Sequence, residues 1–195
     1  MALIDPDLKA EAKTKLTAAL MAHRADFIEP CDLADALVDP GPHRLQWLYT
    51  LELDDLVNGR GVRNATLVGW RFLAGTKEGP AVAADVTIPP EGGPALTSLS
   101  SGRTIAEALG ATDLLTVLSL VLFQDYELRV LRIPGLLTEA FWLKSKTSAV
   151  DLVVPFDTLV EDLVPTRAYP MDVFLNILRP LAVQRLKFDD SEYLP

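Results

Sequence analysis

Trp142-Leu143-Lys144-Ser145, followed by Asp151-Leu152-Val153-Val154-Pro155, echoes an earlier stretch of the same chain. That stretch is Trp70-Arg71-Phe72-Leu73, followed by Asp85-Val86-Thr87-Ile88-Pro89. In both, a tryptophan heads an apolar run, and an aspartate then opens three β-favouring residues closed by proline. The gap between Trp and Asp is longer in the first copy. A repeated strand-rich unit accounts for this pattern; chance recurrence in a Val-rich chain is the plain alternative.

Around the first copy the hydrophobic period is two. Leu45, Trp47, Tyr49, Leu51 and Leu53 alternate with Arg44, Gln46, Leu48, Thr50 and Glu52, as in a half-buried strand. After a loop through Asn58-Gly59-Arg60-Gly61, a second strand is expected from Thr66 to Leu73. A hairpin over 75–80 returns a third through Val82, Ala84, Val86 and Ile88. Around the second copy, Leu128 to Ile133, Thr138 to Lys144 and Val150 to Val154 form another group of three, with a turn at Pro134-Gly135.

Helical periods frame these groups. Asp5-Pro6 is a helix start, and Leu8, Ala12, Leu16, Leu20, His23 and Phe27 fall on one helical face. A short second helix is expected over Cys31 to Val38. Thr104 to Leu109, capped by Gly110, reads as a helix, and so does Asp113 to Phe123. The last runs from about Pro170 along Phe174, Ile177, Leu178, Leu181 and Leu186, with a kink or break at Pro180. The expected fold is α+β: two three-stranded antiparallel units, a candidate internal duplication, with helices before, between and after. It is read as a single domain over residues 1–195, with candidate halves 1–95 and 96–195.

With 195 residues the chain is long enough for one sizeable core. Its 18 Lys and Arg against 27 Asp and Glu give a net charge of -9, which repels phosphate backbones and argues against nucleic acid. Cys31 is the only cysteine, so no intramolecular disulfide forms, which fits a reducing compartment. The N-terminus carries Asp5, Asp7 and Glu11 where a signal peptide needs a basic start, and the most apolar stretch, Leu114 to Phe123, is too short to span a bilayer. The expectation is a cytoplasmic protein without membrane contact.

The chemistry-bearing residues do not assemble into a known pattern. The two histidines, His23 and His43, lack the paired co-ligands of a zinc site, and no stretch matches a calcium loop, so no metal or other cofactor is expected. Cys31 with His43 makes an unconvincing nucleophile pair, and the serines at 98, 100 and 101 lack a nucleophile elbow and read as a linker. The loops at 58–64 and 98–104 only superficially resemble phosphate-binding turns. Asp54-Asp55, Glu161-Asp162 and Asp189-Asp190 read as solvated surface.

One local feature points outward. In Ala140-Phe141-Trp142-Leu143, successive side chains face opposite ways, so Phe141 and Trp142 occupy both faces of one strand. They are the candidate interface residues, between subunits or between the two halves of the chain; a sheet covered on both faces is the competing expectation. The functional expectation is a non-enzymatic interaction or assembly module that self-associates or docks to another protein. The alternatives are a small-molecule binder with an apolar cavity between the strand units and an enzyme without a recognisable motif.

Overall fold

The structure is a computed structural model. It describes residues 3–4, 45–74, 82–87, 95–101, 105–112, 115, 126–147 and 150–189. The expected helices over 5–28 and 31–38, the hairpin over 75–80, and Cys31, His23 and His43 lie outside the described residues.

The fold is mixed α and β. Among the described residues, nine strands form a single sheet: β1 (Leu3–Ile4), β2 (Leu45–Thr50), β3 (Thr66–Ala74), β4 (Val82–Thr87), β5 (Ala95–Ser101), β6 (Tyr126–Ile133), β7 (Thr138–Ser145), β8 (Leu152–Thr158) and β9 (Tyr169–Pro170). The order is β5-β4-β3-β2-β6-β7-β8-β9, with β1 beside β6. Helix α1 (Leu53–Val57) follows β2, α2 covers 105–112, and α3 (Met171–Asp189) closes the described chain.

This corrects the expectation of two three-stranded units. Each group is a four-strand antiparallel meander, β2 to β5 and β6 to β9, and the two fuse into one sheet through a parallel β2–β6 seam. The fourth strand of the first group is the Ser-rich segment read as a linker. Ala95–Ser101 pairs with β4, and Thr97 Oγ1 donates to the Asp85 carbonyl at 3.3 Å. Strand pairing supplies the backbone partners that small polar side chains do not advertise. Helix α1 starts at Leu53, where the alternation predicts the end of a strand. It packs Leu53 and Leu56 beneath α3, where Arg179 Nε donates to the Leu56 carbonyl at 3.2 Å.

The sheet is covered on both faces. On one, α2 places Ile105, Ala108 and Ala111 over Leu48, Leu73, Val130, Phe141 and Phe156. On the other, α3 places Phe174 and Leu178 over Leu131, Ile133, Trp142 and Val153. In β2 it is Gln46 and Leu48, on the side read as polar, that are fully buried. Helix α3 continues through Pro180 without the expected break. Pro180 is exposed, so the carbonyl it leaves unpaired is on the solvent side while Leu178 and Ala182 stay packed.

Rotation about an axis along the β2–β6 seam carries one meander's strand order onto the other's and exchanges the faces of the sheet. Helices α2 and α3 obey that exchange. So do Asp85 and Asp151: Asp85 binds Arg71 on the α2 face, and Asp151 binds Lys144 and the Trp142 indole on the α3 face. The tryptophans do not. Trp70, Trp47, Arg129 and Trp142 follow one another across a single row and share one face. The expected match of Asp85 with Asp151 is therefore compatible with this symmetry, whereas that of Trp70 with Trp142 is displaced by one residue.

Candidate functional site

Phe141 and Trp142 lie on opposite faces of β7, and both are buried within the chain. Phe141 stacks on Phe156 at 4.6 Å and shares its cluster with Leu48 and Leu73 of the first meander. Trp142 meets Tyr49 edge-on at 5.4 Å, and the Arg129 guanidinium lies 4.6 Å from both rings. Burial raises the Tyr49 pKa, the Glu127 charge adds to this, and Arg129 opposes it. Both aromatics are packed inside the chain, Phe141 in the cluster with Leu48 and Leu73 and Trp142 against Tyr49.

The strongest polar constellation lies on the α2 face, and the sequence reading missed it. Arg71 (4% exposed) grips Asp85 (2%) with two bonds of 2.7 and 2.9 Å and turns its remaining donors to Glu139. Arg132 joins the same carboxylates, at 2.7 Å to Glu139 and 2.5 Å to Asp85. In a flat sheet Arg71 and Glu139 would stand about 19 Å apart, three strand spacings across and four residues along. Their contact therefore requires a strongly coiled sheet. Bulges at Leu48/Tyr49, Asp85/Val86 and Glu139/Ala140 supply extra twist. Gly69 lets β3 approach β4 where a Cβ would meet the Val86 carbonyl oxygen at 1.9 Å.

The two carboxylates of this square are held in their charged form. Burial alone would raise the pKa of Asp85 and of Glu139, but bonds to Arg71 and the charges of both arginines hold each below the ordinary carboxylate range. Arg71 is raised despite its burial. Asp157, beside Glu139, is raised by burial and by the Glu139 charge. Two arginines facing two carboxylates form a salt-bridged square across four strands. Among the described residues, no three His, Cys, Asp or Glu side chains converge as metal ligands, and no helix is long and apolar enough to cross a membrane.

A second feature opens on solvent. The turn Pro134–Leu136, the segment 159–162 and the last two turns of α3 enclose a groove of about 540 Å³. Leu181, Gln184, Arg185 and Phe188 sit at spacings of three, four and seven and form one wall. Leu136, half-buried, and Val160, buried, lie beneath. The rim is apolar and wet: Leu137 is 65% exposed, Leu159 74% and Phe188 66%. Leu137 also has a left-handed backbone, φ 48°, which is costly for a leucine and persists only where its surroundings enforce it. Here its N–H donates to the Pro134 carbonyl at 3.0 Å, while Thr138 Oγ1 donates to the Leu136 carbonyl at 3.0 Å. A strained turn that holds a leucine out into water is the outlier of this surface.

The acidic pair Glu161-Asp162, read as plain solvated surface, is exposed and lines the same groove. Of residues 98–104, where a turn or linker is expected, 98–101 lie in β5 instead. At 58–64, Gly59 and Gly61 take positive φ and lead into a single 3₁₀ turn.

No protein-family model, no curated protein and no solved structure matches this chain.

Proposed function

We propose that the protein is a non-enzymatic interaction or assembly module, and that it docks a protein partner through the groove between Leu137, Leu159 and the end of α3. The observation that carries this reading is the convergence of three large exposed apolar side chains on one concavity. Isolated exposed leucines need no explanation, but three large apolar side chains gathered on one concavity beside charged residues do. The fixed charge square is consistent with a scaffold role. A compartment that keeps Cys31 reduced, as in the cytoplasm, belongs to the same proposal, as does descent of the two meanders from a duplicated unit.

A small-molecule site is the second reading. The groove's volume falls within the range of ligand pockets and favours it. Its exposed rim weighs towards a partner that brings its own apolar face.

The double variant Leu137→Ser/Leu159→Ser separates docking from stability. Surface changes of this kind alter stability by about 0.5 kcal/mol or less. Tagged wild type, purified from cells that make it naturally, is expected to retain a stoichiometric protein that the variant loses at unchanged thermal midpoint. Retention by both, or recovery of no partner by either, contradicts the proposal.

A further inference from the structure

Glu161 and Asp162 stand on the wall of the groove opposite α3, and Arg185 stands on α3 itself. Among the described residues, none of these three side chains has a hydrogen-bonding or ion-pair partner, although the chain forms pairs readily elsewhere. Two carboxylates against one guanidinium leave the groove acidic, within a protein of net charge -9. From this we infer that the occupant is an amphipathic helix of another protein. Its apolar stripe lies along α3, and its flank towards Glu161 and Asp162 carries lysine or arginine. The inference rests on the groove being the docking surface and adds the chemistry of what docks.

The wall on α3 is itself a helical face with side chains at the spacings that seat a second helix. Two competing occupants carry negative charge: a second copy would bring another -9, and the residues that follow α3 begin with the acidic run Asp190-Ser191-Glu192. A basic flank turns the unpaired carboxylates from a solvation requirement into attraction across the rim.

The test uses the full chain and fluorescein-labelled peptides of about 15 residues, long enough to hold a helix when bound. One peptide has leucines at i, i+3, i+4 and i+7 and lysines along one flank. A second replaces the lysines with glutamates, and a third replaces the leucines with serines. Fluorescence anisotropy is expected to rise with the first peptide. The glutamate peptide should bind weaker by about threefold to tenfold, the worth of one or two exposed ion pairs. The serine peptide should not bind. Glu161→Lys/Asp162→Lys should reverse the preference between lysine and glutamate, and Arg185→Glu should strengthen the lysine peptide.

Equal affinity for the lysine and glutamate peptides, abolished by Leu137→Ser/Leu159→Ser, overturns the basic-flank assignment and leaves the groove in place. Absence of binding by either leucine peptide, or binding that survives the double serine variant, overturns both.

Discussion

At the scale of single residues, Leu137 links the fold to its proposed use. A leucine with φ 48° carries a steric penalty of about 1–2 kcal/mol that glycine escapes. Glycine in turn loses more chain entropy on folding, about 0.5–1 kcal/mol. Leu137→Gly is therefore expected to stabilise the protein, by up to about 1.5 kcal/mol in chemical denaturation, the difference of those two terms. It should also weaken partner retention, because it deletes one side of the groove's rim. If Leu137→Gly destabilises the protein, the strain is not real. If it leaves docking intact, the exposed leucine is not functional. This residue is not legible from sequence, because nothing in Pro134-Gly135-Leu136-Leu137 says which position takes the left-handed turn. Glycine would be the first guess, yet its neighbour two places on adopts it.

At the scale of elements, the charge square ties β3, β4, β6 and β7 across the coiled sheet, so its loss should be felt by all four strands. Arg71→Met leaves Asp85 buried beside Glu139 with only Arg132 to answer both. Breaking a buried pair in this way costs about 3–5 kcal/mol, whereas replacing Arg71 and Asp85 together with apolar residues should cost much less. The pH dependence follows from the same groups. Asp85 and Glu139 titrate below their unfolded values, so their contribution is present above about pH 4 and is lost as pH falls through the folded values. Asp157, raised in the fold, acts with the opposite sign and favours the folded state as it takes up its proton. Denaturation followed between pH 3 and 7 should show a net loss of stability on the acid side in wild type, and a shallower loss in Arg71→Met. An acid limb unchanged by the mutation would mean the square is not the source.

The strands from Thr66 to Ala74 and from Thr138 to Ser145, and helix α3, were legible because alternation and helical spacing mark a covered face directly. Strand β5 was not, since its serines and threonines owe their strand to pairing with β4. Nor was the square. Arg71 and Glu139 are 68 residues apart, and only the coiling of the whole sheet brings them together. The alternation that singled out Phe141 and Trp142 correctly placed them on two faces, but covering both faces was a matter for α2 and α3.

At the scale of the whole molecule, two meanders share one sheet through the β2–β6 seam, each sheet face carries its own helix, and the aromatics of β7 are buried on both faces. Among the described residues, three exposed large apolar side chains, Leu137, Leu159 and Phe188, meet at the groove beside the end of α3. Incorporating the photo-crosslinker benzoylphenylalanine at one position at a time in living cells tests this assignment most directly. Positions 137, 159 and 184 line the groove, and position 97 lies on the outer strand β5. Discrete protein adducts are expected from the three groove positions and none from position 97. Adducts from position 97 with none from 137, 159 or 184 would contradict the groove as the docking surface.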